Sequence, residues 1–252
     1  MRKTQAVTIL AAVLCLIGAG VPALAEDTGL TAAQILDKVD DAINSPKDQS
    51  YTVHLILIDK DGSQKTREMV MLQKGRDKRL VRFTAPADQR GIAFLSLPGD
   101  LQYLYLPAFN KVRRIATSVK NTNFAGTDFT YDDLEAAKWS DKWNASIKSR
   151  GEGTTLLELT PRPGRTSDYS KQIVTVQNDD FYPVRVEYYD KSGTLAKVLV
   201  RGNLKQVQGY WAAMSTTMED LKKQHKSEML VSDLKLDSGI GDEKFTERYL
   251  SQ

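Results

Sequence analysis

The sequence predicts a mainly β protein in which a curved antiparallel sheet wraps an interior and a few helices cover it. Three observations lead there. From Tyr51 onward apolar residues recur with period two along most of the chain, the spacing of strands rather than helices. The alternating runs are joined by short turns of hairpin chemistry, such as Asp61-Gly62, Lys74-Gly75, Asn178-Asp179 and Ser192-Gly193. Four of the runs are apolar on both faces, yet only two or three short helical segments are available to cover about a dozen strands.

The chain opens with Arg2 and Lys3, an uncharged run from Ala6 to Gly20, a break at Pro22 and the small-x-small triplet Ala23-Leu24-Ala25. This is the layout of a cleavable secretory signal over residues 1–25. The apolar run is shorter than the ~20 residues that span a bilayer. The only cysteine, Cys15, follows a bulky Leu14 inside that run, which argues against a lipobox. The expected mature protein is therefore residues 26–252, one exported domain without disulfides, folded around its core.

Helical spacing appears first from Thr31 to Asn44, where Ile35, Leu36, Val39, Ala42 and Ile43 fall on one stripe. Thr28 or Thr31 can cap its start, and Ser45-Pro46-Lys47 ends it. Strands are predicted at Tyr51–Asp59, Gln64–Lys74, Lys78–Thr84, Gly91–Leu97, Gln102–Leu106 and Lys111–Ala116. A second set follows at Trp143–Ser149, Thr154–Thr160, Lys171–Gln177, Pro183–Tyr189, Leu195–Val207, Trp211–Glu219 and His225–Leu236. Between the sets, Thr117–Lys138 is too long for a hairpin turn and reads as a loop with a short helix beginning near Thr130 or Tyr131. A tail helix, Glu243–Leu250, places Phe245, Tyr249 and Leu250 on one side.

The 252 residues carry 35 basic and 32 acidic side chains, a net charge of +3. Loss of Arg2 and Lys3 with the leader would leave 33 against 32, so there is no basic excess of the kind that marks nucleic-acid binding. His54 and His225 have no metal-ligand spacing. Asp59-Lys60-Asp61-Gly62 starts like a calcium loop but lacks the later ligands. No phosphate-binding glycine loop or nucleophile elbow is present, so neither cofactor nor metal is expected. Asp128, Asp132, Asp133 and Glu135 offer carboxylates for hydrolytic chemistry, but acids are equally at home at a helix start. The composition points to a binding protein rather than an enzyme.

The doubly apolar runs are VHLILI (Val53–Ile58), MVML (Met69–Leu72), GIAFLSL (Gly91–Leu97) and YLYLP (Tyr103–Pro107). A sheet that curls around a cavity satisfies both faces and gives an apolar ligand a site. Candidate lining residues are Leu55, Leu57, Met69, Met71, Phe94, Leu97, Tyr103 and Tyr105, with Trp211 and Met214 from a late strand, where thioethers adapt to varied shapes. Phe124, Phe129 and Tyr131 can form a lid. Lys111, Arg113, Arg114 and Lys120 place cations beside this surface, suited to an anionic head group, an anionic membrane or a partner. They serve equally as a charged edge that blocks strand aggregation.

Three stretches carry a family resemblance: RLVRFTAPADQRGIAFLSL from Arg79, YLYLPAFNKVRRI from Tyr103 and FAGTDFTYDDL from Phe124. Together with the helix, meander and tail they resemble the outer-membrane lipoprotein-sorting protein family, in the LolA-like branch found beside exporters of the resistance-nodulation-division type. The resemblance covers essentially the whole expected mature chain, and its most specific part is Phe124 to Leu134. It implies a half-open antiparallel barrel with a helical lid. It also implies a monomeric periplasmic carrier that shields lipid or lipoprotein acyl chains between an inner-membrane exporter and an outer-membrane acceptor. In such proteins an arginine near the lid helps hold the closed state, for which Arg90, Arg113 and Arg114 are the candidates here, with Asp128 as a further lid charge. The rival readings are an accessory protein that docks on an exporter through Lys111–Lys120 without cargo, and a hydrolase built on Asp128, Asp132 and Asp133.

Overall fold

The computed structural model describes residues 29–252. The expected leader, its boundary after Ala25, Cys15 and the alternative cap Thr28 lie outside the described residues. The first helix, α1 (Ala32–Ile43), starts at a capping box in which Gln34 N–H donates to Thr31 Oγ1 and Thr31 N–H donates to Gln34 Oε1. Its stripe of Ile35, Leu36 and Val39 is buried.

Thirteen strands then form two antiparallel meanders. The first comprises β1 (Asp48–Ile58), β2 (Gln64–Lys74), β3 (Lys78–Ala85), β4 (Ala93–Leu97), β5 (Leu101–Leu106) and β6 (Lys111–Arg114). The second comprises β7 (Trp143–Arg150), β8 (Thr154–Pro161), β9 (Tyr169–Gln177), β10 (Pro183–Asp190), β11 (Leu195–Val207), β12 (Tyr210–Asp220) and β13 (His225–Leu236). Pairing of β1 with β13 merges them into one sheet of order 6-5-4-3-2-1-13-12-11-10-9-8-7. The sheet curves but does not close. Its free edges are β6 and β7, which are consecutive in the chain, so the segment from Ile115 to Lys138 must cross from one edge to the other.

That crossing segment is packed inside the curve. Phe124, Phe129, Tyr131 and Leu134 are buried with Val53, Leu55, Met69, Val81, Phe83 and Phe94 from the strands and with the α1 stripe. Phe124 stacks on Phe83 with ring centroids 5.5 Å apart and meets Tyr131 edge-on at 5.6 Å. The expected helix near Thr130 is a turn instead. Leu134 N–H reaches Thr130 O at 3.2 Å, but the chain then leaves helical geometry, and the one regular turn nearby is α2 (Trp139–Lys142), capped by the buried Asp40 carboxylate of α1. The tail helix is likewise split, into a 3-10 turn at Asp242–Lys244 and α3 (Glu247–Leu250).

A second apolar cluster explains why the first meander is apolar on both faces. Leu80, Ala93 and Leu95 point away from the interior and are covered by Phe245 and Leu250 of the tail, with Leu72, Tyr103, Tyr105 and Val112 around them. Arg82 secures the tail by donating from Nη2 to Tyr249 O, over whose ring its guanidinium lies. Asp48 anchors the segment leading into it, accepting from Ser238 N, Ser238 Oγ, Gly239 N and Ile240 N at 2.9–3.2 Å.

Burial alone would raise the Asp48 pKa, but these hydrogen bonds together hold it below the ordinary value. A carboxylate depressed in the fold adds stability above its unfolded pKa, near 3.9, and loses it as pH falls through the lower folded value. Asp48→Asn should therefore cost about 1–3 kcal/mol at neutral pH. In urea unfolding the gap to the parent protein should close as pH drops below about 4; a gap independent of pH would show that the charge is not what holds the tail.

Candidate functional site

The crossing segment is built around Phe124-Ala125-Gly126-Thr127-Asp128-Phe129. Ala125 and Gly126 both take left-handed backbone angles, φ 48° and 74°, a conformation Gly adopts freely and Ala adopts only under constraint. The reversal lets Phe124 N–H donate to Phe129 O at 2.8 Å while Thr127 Oγ1 donates to Phe124 O. Both phenyl rings are thereby sent into the core. The Ala125 carbonyl that the reversal turns outward is taken by Arg67 Nη1, and the same guanidinium lies over the Phe83 ring.

Asp128 ties the knot to the far half of the sheet. Its Oδ2 receives Ser227 Oγ at 2.7 Å and faces His225 Nδ1 at 2.6 Å, its N–H donates to Ser227 Oγ, and its carbonyl accepts from Lys197 Nζ at 2.7 Å. The residue is 1% exposed. Further along, Arg79 Nη1 donates to Leu134 O, and Asp132 pairs with both Lys142 and Arg165. Burial would raise the Asp132 carboxyl, but the two cations hold it below its usual range. Asp133 has no such partner: burial pushes its pKa up, against Lys197 and the Thr130 N–H and hydroxyl that bond its Oδ2.

Beside the knot the interior is incompletely filled. A cavity of about 200 Å³ lies between the end of α1 and strands β1, β11, β12 and β13, walled by Val53, Met71, Phe129, Leu134, Leu199, Trp211, Ala213, Thr216 and Met229 among others. A smaller one of about 110 Å³ adjoins it and is polar, with Asp132, Glu135, Lys142, Gln172 and Tyr188 in its wall. The two share Ile43, Asn44, Arg79, Asp133, Leu199 and Arg201 as wall residues, so they adjoin across a common wall and together make a hollow of mixed lining whose smaller part is the more polar. A wider groove of about 620 Å³ outside, between the β2–β3 and β4–β5 turns, is lined by Arg76, Asp77, Asp100, Lys138 and Asp141 together with Leu97, Pro98, Ala136 and Ala137.

Of the lining residues expected from sequence, Met71, Phe129 and Trp211 border the hollow. Leu55, Leu57, Met69 and Phe94 are in the interior cluster but are packed solid by the crossing segment. Leu97, Tyr103 and Tyr105 belong to the outer cluster under the tail, and Leu104 is the residue of β5 that faces inward. Met214 is half-buried outside both clusters, whereas Met218 is in the core. Phe124, Phe129 and Tyr131 plug the interior rather than cover it. The candidate arginines are elsewhere too. Arg90 is exposed and bonds Thr84 O, and Lys111, Arg113 and Arg114 lie exposed on edge strand β6. Lys120 is buried against Asp100. The guanidinium groups that hold the crossing segment are Arg67, Arg79 and Arg165. A signal for two of them existed: Arg67 shares strand parity with Met69 and Met71, and Arg79 with Val81 and Phe83, so both had to point inward.

Comparison with known proteins adds to this geometry. No curated protein matches the sequence. A family model described as "uncharacterized protein" matches residues 75–252. An outer membrane lipoprotein-sorting protein domain from Vibrio parahaemolyticus superposes with a TM-score of 0.80 at 30% identity, over 88% of this chain and 98% of that one. A DUF1329 family protein from Desulfovibrio piger gives 0.80 at 25% identity over 87% and 99%. A LolA superfamily protein from Nitrosomonas europaea gives 0.73 at 25% identity over 87% and 99%. With an unclosed antiparallel barrel, a plugged interior and a relative of this identity matched along nearly its full length, the chain belongs to the LolA-like outer-membrane lipoprotein-sorting family.

Proposed function

We propose that the chain is a periplasmic carrier whose domain, residues 26–252, takes acyl chains of a lipid or lipoprotein into the hollow and moves them between membranes. The observation that carries this reading is the half-apolar cavity beside a plug held by polar contacts such as those of Arg67 and Asp128. Its size sets how it must work. At about 200 Å³ it is below the usual range of small-molecule sites, roughly 300–1,000 Å³. Cargo larger than part of one chain therefore has to displace Phe124, Phe129 and Tyr131, and the crossing segment is a plug that doubles as a lid.

A second reading, a non-cargo accessory that docks on an exporter, draws support from the β6 edge. Lys111, Arg113 and Arg114 are exposed there and Phe109, at the preceding turn, is 64% exposed. An aromatic beside cations that make no ion pair among the described residues suits an acidic partner surface.

Three outcomes follow. Protein purified from the periplasm and examined by native mass spectrometry should carry extractable lipid, and Thr216→Trp, which fills the cavity from β12, should abolish lipid uptake from vesicles while leaving the fold intact. An empty protein that takes up no lipid would sink the carrier reading. Asp128→Ala, which removes the tie to His225 and Ser227, should cost about 1–3 kcal/mol of stability, raise hydrogen exchange across residues 122–134 and speed lipid uptake. Faster exchange with unchanged uptake would mean the segment does not gate. Charge reversal at Arg113 and Arg114 should leave lipid uptake unaffected; if instead it abolishes capture of a membrane partner by a protein that binds no lipid, the accessory reading stands.

A further inference from the structure

Two cations with no carboxylate partner among the described residues stand at the boundary between the cavities, and one of them, Arg201, lies over the Trp139 ring at 5.8 Å. Arg79 and Arg201 both border both cavities. Among the described residues neither makes an ion pair with a carboxylate, unlike Lys142 and Arg165 beside them. Asp132 and Glu135, which share the smaller cavity, are matched by Lys142 and Arg165, so those four charges cancel. That leaves two guanidinium groups against Asp133, whose Oδ2 is already occupied by Thr130.

The donors around this point outnumber the acceptors. A guanidinium carries five N–H donors. Arg201 places one on Pro183 O at 2.9 Å, and its remaining donors have no acceptor among the described residues. Arg79 spends Nε and Nη2 on Gln73 Oε1 and Nη1 on Leu134 O. Tyr51, in the wall of the larger cavity, has no hydrogen-bond partner for its hydroxyl among the described residues, and Tyr182 accepts from Ala213 N–H, which leaves its own hydroxyl proton to give. The proximity of these groups is also electrostatic: burial lowers the Arg79 pKa, Tyr51 and Glu135 draw it back up, and the neighbouring Arg201 lowers it. Two like charges that are half-buried side by side with no carboxylate bonded to either repel one another, and an anion placed between them relieves that repulsion.

We propose that Arg79 and Arg201, with the Tyr51 and Tyr182 hydroxyls, form a head-group subsite. The cargo is then an anionic amphiphile, a carboxylate or phosphate head seated at the two arginines with its apolar tail against Val53, Leu199 and Met229. This inference rests on the carrier reading and narrows it to lipids with an acidic head. It does not include the exposed cations of β6, which lie at the sheet edge and border neither cavity.

The test is binding of four probes, dodecanoate, dodecyl phosphate, dodecanol and inorganic phosphate, to the parent protein and to Arg201→Gln and Arg201→Lys. The two anionic amphiphiles should bind the parent about 10- to 100-fold tighter than dodecanol, the factor of a charge-assisted hydrogen bond. Arg201→Gln should erase that preference without weakening dodecanol, and Arg201→Lys should keep part of it. Equal binding of acid and alcohol by the parent would overturn the subsite and leave the carrier reading intact. Failure of every apolar probe, dodecanol included, would remove both. Inorganic phosphate competing as well as dodecyl phosphate would make this a site for free anions and overturn the amphiphile. If Arg201→Gln does not fold, the comparison of acid with alcohol in the parent protein still decides.

Discussion

The structure depends on one topological constraint: the two free edges of the sheet are consecutive in sequence. Because β6 and β7 sit at opposite ends of a thirteen-strand order, the chain between them has to travel across the concave side. A closed barrel would pair those edges and leave the connection outside as an ordinary loop. Here the connection is inside, so its side chains had to become core. Phe124, Phe129, Tyr131 and Leu134 supply that core, and the left-handed pair Ala125-Gly126 makes the sharp reversal that lets two aromatics of one short loop point the same way. The same constraint sets the polar contacts: a segment threaded through an interior brings its carbonyls with it, and those of Ala125, Asp128 and Leu134 are met by Arg67, Lys197 and Arg79.

Much of this architecture was legible in sequence. Every predicted strand exists, because period two and hairpin turn residues are local signals that tertiary packing did not overrule. The faces were not legible. In YLYLP either parity could be the inner one, and a shift by one residue exchanges the two sets. The structure turns Leu104 in and Tyr103 and Tyr105 out, because the tail supplies Phe245 and Leu250 to cover the tyrosines. Apolar residues on both faces meant two packed layers, and only part of the interior is hollow. The helix expected near Thr130 failed for a related reason. Thr130 and Asp133 do form a reciprocal cap, with bonds of 2.8 and 3.1 Å. The residues after it are drawn instead to the Lys142 and Arg165 network.

The site itself was the least readable part. Asp128 is 97 residues from His225 and 99 from Ser227, and nothing in their local surroundings announces that they meet. The inward arginines did leave a trace, a charged residue at the core parity of an otherwise apolar strand. That trace identifies Arg67, Arg79 and Arg201 together, since Arg201 shares parity with Leu199. Burying a charge costs several kcal/mol unless it is paired. A position that tolerates this cost without a protein counter-ion is where a ligand's charge has the most to contribute.

On the proposed carrier reading, the plug also bears on how cargo would be released. Burying one chain of twelve carbons gains about 10 kcal/mol at about 0.8 kcal/mol per methylene. Expelling Phe124 and Phe129 from the interior returns about 3–6 kcal/mol of that, at 1.5–3 for each ring. Breaking the contacts of Asp128 and Arg67 returns about 1–3 kcal/mol more for each buried group left unsatisfied. Before Tyr131 is counted the net runs from about 5 kcal/mol favourable to about 2 kcal/mol unfavourable, weaker than micromolar binding requires. On that reading cargo and plug would be near-equal competitors for one interior, and occupancy would follow the supply of lipid at each membrane. In that balance a charged head that finds Arg79 and Arg201 need contribute only a small amount to decide which lipid is carried and which is left behind.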